Sequence, residues 1–210
     1  MSSHLPPPTQ PCTAFAGLRR IAAGELQQVA LAVQAFAAHS PDVPVLVFDD
    51  ATSDTVELDL RGSPEDLLRR LHAAAPPAAA PSAVPRGPGR PKLGVVAREV
   101  TLLPRHWEWL SAQPGGASVT LRRLVEDARR DNAGRDEVRR AQEVGYRFMS
   151  TVAGHLPGFE EATRALFAGQ RPRFEALVAA WPDDVRSHLL ARVAPAFGTP
   201  AAPADAKGSS

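Results

Sequence analysis

The feature that most constrains this chain is the uneven placement of its prolines. Most of the 21 prolines in the 210 residues lie at residues 6–11, at residues 76–91 and after residue 194. Proline fixes φ and lacks a backbone N–H, so the stretch AAAPPAAAPSAVPRGPGRP is unsuited to a packed element. We therefore predict a linker with a basic arm over residues 73–92, and disordered tails over residues 1–12 and 198–210.

Residues 13–72, which precede this linker, have the pattern of a small acidic α/β domain. TAFAGLRRIA predicts a strand, and GELQQVALAVQAFAAH carries apolar residues at helical spacing. VPVLVFDD predicts a buried strand, and TVELDLRG alternates apolar and polar residues as a half-buried strand does. Ser63, Pro64 and Asp66 then form a capping box that predicts the start of a helix. The expected order is β-α-β-β-α.

The residues after Arg130 predict a helical C-terminal module over residues 131–197. Four stretches have helical patterns: DEVRRAQEVGYRFMSTVAGHL, GFEEATRALFAGQ, RPRFEALVAAW and PDDVRSHLLARV. The breaks between them are expected at Pro157-Gly158, Gly169 and Pro182.

Residues 93–130 form the most informative part of the chain. VVAREVTLL, ending at Leu103, predicts a short strand, and Pro104 starts a helix in the next nine residues. PGGA must break that helix, after which Ser118 is the expected N-cap of a second one. Leu121, Leu124, Val125 and Ala128 make one apolar stripe on the second helix. This element is too small to bury its own apolar face, so it must pair with another one.

Basic charge is concentrated around the same element. Residues 13–72 carry five arginines against nine acidic residues, whereas residues 84–130 carry nine basic residues against four acidic ones. Such an asymmetry is typical of a polyanion-binding surface, although a solvated protein face can carry the same charge.

The segment from residue 97 to residue 130 resembles the ribbon-helix-helix family of bacterial DNA-binding proteins. The resemblance implies an obligate dimer in which two strands form an antiparallel ribbon in the major groove. It also implies a phosphate bound at the N-terminus of the second helix, here at Ser118. The base-facing residue depends on the register of the strand. If residues 99, 101 and 103 point inward, Arg98 faces outward; if residues 98, 100 and 102 point inward, Thr101 faces outward.

The preceding RGPGRPKLG is similar to part of an AT-hook, a short arm that enters the minor groove of A·T-rich DNA. Gly89, Arg90, Pro91 and Lys92 match this motif, whereas Pro88 stands where the motif has an arginine. The alternative is a proline-rich linker with solubilising charges. If the arm binds DNA, Arg86, Arg90 and Lys92 are expected to supply minor-groove or non-specific attraction.

The whole chain is also similar to a bacterial family of uncharacterised proteins, a domain of unknown function. The similarity rests on GRPKLGVVAREVTLLPRHWEWLSAQPGGAS and on the helical region after it. No activity is assigned to that family, so this resemblance supports the boundaries only.

Other classes of function have little support in the sequence. With one cysteine and six scattered histidines, the chain has no disulfide and no chelating pair, and its acidic cluster at residues 49–59 lacks the spacing of a calcium loop. We expect no catalytic residues, no metal and no cofactor. The N-terminus lacks a signal-peptide pattern and no apolar run is long enough to cross a membrane, so we expect a soluble cytoplasmic protein.

The sequence therefore predicts an α+β chain and a dimeric DNA-binding protein, a bacterial transcriptional regulator. Its groove contacts are expected from Arg98 and Thr101, and its phosphate contacts from Arg105 and Ser118. The alternative is a non-enzymatic protein-interaction module, in which the strand-helix-helix segment packs within the chain.

Overall fold

The computed structural model describes residues 5–74, 96 and 98–198. The chain forms two compact units. One, called here the sheet unit, combines residues 1–78 with residues 137–210, and the other, the middle unit, covers residues 79–136. Within the described residues the fold is mixed α+β, with one three-stranded antiparallel sheet and seven α-helices. The predicted linker and basic arm lie outside the described residues, apart from residues 73 and 74 at the end of a helix.

The sheet begins with a hairpin where the sequence predicts a single strand. Strands β1 (Pro11–Ala16) and β2 (Arg19–Glu25) pair antiparallel through a turn at Gly17, whose φ is 59°. That left-handed conformation is readily adopted by glycine, and it reverses the chain inside the stretch that was predicted to be continuous. β1 also begins inside the predicted N-terminal tail.

The third strand, β3 (Val45–Asp49), is confirmed and pairs antiparallel with β1, giving the order β2-β1-β3. The strand predicted next, from TVELDLRG, is wrong. Only one bridge forms, between Phe48 and Thr55, with Val56 donating its N–H to the Val47 carbonyl at 2.8 Å. The alternation instead places Val56, Leu58 and Leu60 against an apolar core without a partner strand.

Helices α1 (Leu26–His39) and α2 (Pro64–Ala74) form where the sequence predicts them. The capping box at α2 is confirmed: the Asp66 N–H donates to Ser63 Oγ at 3.2 Å, and the Ser63 N–H donates to Asp66 Oδ2 at 3.2 Å. These reciprocal bonds satisfy two backbone donors at the helix start.

The middle unit contains helix α3 (Pro104–Ser111) and the first part of helix α4 (Gly116–Val152). α4 is one helix of 37 residues, and it runs through Arg130, where the sequence analysis places the boundary between the ribbon-helix-helix-like element and the C-terminal module. Residues 131–136 contain no proline, and the single Gly134 costs only about 1 kcal/mol relative to alanine, which is too little to end a helix. Residues 98–103, which end the strand predicted before α3, have no regular secondary structure in this single chain.

Three further helices confirm the predicted C-terminal pattern: α5 (Phe159–Phe167), α6 (Arg171–Val178) and α7 (Asp183–Val193). A 3₁₀ turn, Ala194–Phe197, follows α7.

Apolar cores lie on both faces of the sheet. On one face, Cys12, Ala14 and Val47 pack with α1 and α2. On the other, Phe15 and Phe48 pack with residues of α4 to α7. Adjacent strand residues point to opposite faces, so β1 and β3 each contribute to both cores. The sheet and the C-terminal helices therefore depend on the same apolar packing.

Candidate nucleic-acid interface

The segment that precedes α3, residues 98–102, is mostly exposed. Among the described residues, no backbone–backbone hydrogen bond involves residues 98–102. Arg98, Glu99, Val100 and Thr101 are exposed, and Leu102 is half-buried. A chain segment with unpaired N–H and C=O groups is a template on which another strand can pair.

Helix α3 begins directly after this segment. Leu103 is its N-cap, with extended dihedral angles (φ −66°, ψ 149°), and Pro104 occupies the first helical turn as predicted. Arg105 is exposed on that turn. Leu110 is buried, whereas Trp107 and Trp109 are 39% and 50% exposed. Trp107 is therefore not enclosed by the single chain, whereas Trp181 of the sheet unit is 2% exposed.

Ser118, the predicted phosphate-binding N-cap, lies inside the first turn of α4 rather than before it. Gly115 and Gly116 have φ of 83° and 73°, so the helix begins at Gly116, two residues before the predicted N-cap. Ser118 lies in the first turn and is exposed. The N–H groups of a first turn have no partners within the helix, and no acidic residue lies in this one. The arrangement can bind an anion through backbone N–H groups and the Ser118 hydroxyl.

Four of the seven predicted site residues can be placed. Arg98, Thr101, Arg105 and Ser118 are all exposed in the middle unit. Neither Arg98 nor Arg105 has an ion-pair partner within the part of the chain that the structure describes. Arg86, Arg90 and Lys92 lie outside the described residues.

The middle unit also exposes large apolar side chains, which the sequence pattern revealed only in part. Both apolar cores of the described chain belong to the sheet unit. The stripe on α4 was visible in the sequence, but its exposure was not. The exposed side chains of this unit are Val96, Val100, Leu103, Trp107, Trp109, Val119, Leu124 and Val125.

In the sheet unit, the acidic side chains that follow β3 form hydrogen bonds and ion pairs with neighbouring side chains. Asp50 accepts a hydrogen bond from Thr13 Oγ1 at 2.8 Å and lies 3.7 Å from Arg192 Nη1, while Asp54 pairs with Arg147 at 3.0 Å. These contacts give the acidic loop after β3 a structural role. Among residues 5–74 and 98–198, no group of three or more His, Cys, Asp or Glu side chains is placed to bind a metal ion.

His188 of α7 is a buried histidine with a lowered pKa. It is 4% exposed, and its ring lies 5.4 Å from that of Phe15 and 4.6 Å from that of Phe148. Burial lowers the pKa of His188 to about 4, with Arg192 and Arg20 acting in the same direction and Asp50 opposing them. The imidazole is therefore neutral at physiological pH and enclosed by aromatic rings, which suits packing better than acid–base chemistry.

Comparison with known proteins identifies a family. The chain matches no curated protein and no solved structure. In the described residues, no helix combines the length and the apolar character needed to cross a membrane. Residues 11–193 match the family described as an uncharacterized protein conserved in bacteria, DUF2239. This match spans most of the chain and both compact units, and the chain therefore belongs to that bacterial family.

Proposed function

We propose that the protein is a dimeric DNA-binding protein, a bacterial transcriptional regulator, whose middle unit contacts the DNA. The observation that carries the proposal is the segment 98–102, which is exposed apart from the half-buried Leu102, has no backbone hydrogen bond among the described residues and leads directly into an amphipathic helix pair. Two copies of this segment can pair antiparallel, and a two-stranded ribbon of that kind fits the major groove.

The exposed apolar residues of the middle unit support a second copy as the partner. Val100, Leu103 and Val125 are 54%, 48% and 57% exposed in the single chain. Burying apolar surface contributes about 25 cal/mol per Å², so association that covers these side chains is favourable. An exposed apolar patch rimmed by charged residues is typical of an interaction surface.

Charge supports DNA as the ligand of such a dimer. A dimer doubles the basic excess of residues 84–130. In the proposed complex Arg105 and Ser118 contact phosphates and residues of the 98–103 segment face the groove. The side chains of Arg86, Arg90 and Lys92 bind in the adjacent minor groove by electrostatic attraction, which gives the protein a preference for A·T-rich DNA.

A protein-interaction module is the second candidate, favoured by one observation. Trp107 and Trp109 are both substantially exposed, and tryptophan is enriched where protein interfaces are most strongly bound. In that case the basic residues are solvated and the apolar face binds a protein.

Binding to DNA is tested by fluorescence anisotropy of a labelled mixed-sequence duplex at about 50 mM and about 200 mM salt. The full-length chain is compared with a variant carrying Arg90→Ala, Lys92→Ala and Arg98→Ala. The matched control carries Arg164→Ala, Arg171→Ala and Arg173→Ala, which remove the same charge from exposed positions of the sheet unit.

We expect the wild type to bind at low salt and to weaken steeply as salt rises. The first variant should bind less tightly, with a salt slope smaller by roughly five to six, because each of the two chains of the dimer loses three charges and each phosphate contact contributes about 0.9. The control should keep most of the wild-type slope. Light scattering on the same samples should give twice the mass of the chain. Absence of wild-type binding at low salt, or equal losses in both variants, contradicts the proposal.

A further inference from the structure

Side chains of residues 98–102 alternate between two faces, and the structure indicates which face points toward the protein. Leu102 is half-buried, whereas Thr101 is exposed. Val100 lies two residues before Leu102 and therefore shares its face in an extended chain. That face is apolar, and the opposite face carries Glu99 and Thr101. Polarity and the half-burial of Leu102 thus assign this face to the protein side, while Val100 is 54% exposed in the single chain.

Leu103 does not disturb this assignment, because it is not part of the alternating run. It is the N-cap of α3, and its carbonyl accepts the His106 N–H at 2.8 Å. The alternating run therefore ends at Leu102. If Leu103 were instead the first protein-facing residue, Thr101 and Glu99 would share its face. Leu102 and Val100 would then point toward the DNA, which leaves apolar residues on the DNA-facing side.

We infer that Glu99 and Thr101, rather than Arg98, face the DNA bases, and that Glu99 selects cytosine. The inference rests on the proposed DNA-binding function. Arg98 shares the face of Val100 and Leu102, so its guanidinium can reach a phosphate only around the edge of the ribbon. Glu99 has no ion-pair partner among the described residues, so its carboxylate is available to a ligand.

A carboxylate on the groove-facing side has two consequences. It is an acceptor only, and in the major groove cytosine presents an N4 amino donor without an adjacent acceptor of its own. The same charge is repelled by phosphates, so it weakens binding wherever no cytosine donor compensates. Glu99 thus lowers the affinity for non-matching DNA and favours sites with cytosine, while the Thr101 hydroxyl bonds a neighbouring base and its methyl group contacts thymine.

The test is selection of bound duplexes from a random-sequence pool by the full-length protein, followed by sequencing. The wild type is compared with Glu99→Gln, with Arg98→Ala and with the matched control Glu108→Gln, which removes an exposed charge on α3. Because Glu99, Arg98 and Glu108 are exposed, all variants are expected to fold, which circular dichroism checks.

We expect the wild type to enrich cytosine at one position of each half-site by about tenfold, the range of one base contact. Glu99→Gln should remove that enrichment and bind mixed-sequence duplex a few-fold more tightly. Arg98→Ala should weaken binding to all sequences alike, and Glu108→Gln should keep the wild-type motif. A motif that survives Glu99→Gln, or one that changes with Arg98→Ala, overturns the inference while leaving DNA binding intact. Failure of the wild type to bind any duplex overturns both.

Discussion

A close contact between α4 and α7 in the sheet unit yields a sharp prediction, because one added methyl group has no space there. Gly145 of α4 is buried, and a Cβ atom at that position would lie 2.2 Å from Val193 Cγ1 of α7 and 3.4 Å from Leu166 Cδ2. Carbon atoms pack best at about 3.5–4.0 Å, so Val193 would have to move by more than 1 Å. Val193 is fully buried, and its β-branched side chain has few alternative rotamers.

The magnitude follows from two opposing terms. Overpacking of a closed core costs about 1–3 kcal/mol, and the short contact here indicates the upper end of that range. Alanine gains about 1 kcal/mol over glycine inside a helix. Gly145→Ala should therefore lower the free energy of unfolding by roughly 2 kcal/mol, which corresponds to a fall in Tm of about 4–8 °C for a chain of this size.

Gly134 supplies the matched control, because it lies in the same helix, is exposed and has nothing within 4 Å of an added Cβ. Gly134→Ala should leave stability unchanged or raise it by up to about 1 kcal/mol. Both variants are measured by urea unfolding followed at 222 nm and by tryptophan fluorescence, to which Trp181, buried in the affected core, contributes. Adding Val193→Ala should make the Gly145→Ala change less costly than it is alone. Equal stability of Gly145→Ala and wild type, or no effect of Val193→Ala on the difference, refutes the steric argument.

Three further predictions concern buried polar groups. Burial lowers the pKa of His188 to about 4, against about 6.5 when unfolded, so unfolding takes up a proton between these values. The free energy of unfolding should be highest above pH 6.5 and fall by up to roughly 3 kcal/mol as the pH drops to 4. Urea midpoints measured across this range should show the fall in the wild type, and His188→Gln should reduce it. Burial, with Asp49 and Asp50 adding to it, raises the pKa of Cys12 to about 12. Its thiol should react with iodoacetamide only in urea, and rapid labelling of the folded protein would be the contrary result. Ser53 has a φ of 55°, is 1% exposed, and its Oγ has no hydrogen-bond partner among the described residues. Ser53→Gly should raise the Tm by a few degrees, for a gain of about 1 kcal/mol, whereas Ser53→Val should lower it.

Local signals predicted the helices of this fold well. The Ser63 and Asp66 pair located the start of α2, and Pro182 located the break before α7, because caps and prolines act within a few residues. The hairpin turn at Gly17 was missed, since one glycine within a continuous apolar and basic run is a weak signal. The extended run ending at Leu60 was taken for a strand because one-sided burial gives the same alternation whether or not a partner strand exists.

The candidate interface shows a different limit of sequence reasoning. Arg98 and Thr101 were singled out from their position before Pro104. The sequence leaves their register open, and the register inferred above rests on the half-burial of Leu102 and the N-cap position of Leu103. Exposure of Trp107 was not predictable, because an aromatic residue at helical spacing has the same pattern in a core as on a surface that awaits a partner.

The aromatic packing of Phe15 has a consequence for synthesis of the chain. Phe15 lies 5.4 Å from both Phe148 and His188, measured between ring centroids. A ribosome adding about 5–20 residues per second reaches Phe148 roughly 7–27 seconds after Phe15. An isolated hairpin forms in about 1–10 μs, so β1 and β2 have time to form and open many times before their covering helices exist. The order of assembly is then set by translation rather than by intrinsic folding speed, and the aromatic face of the sheet is open to chaperones throughout that interval.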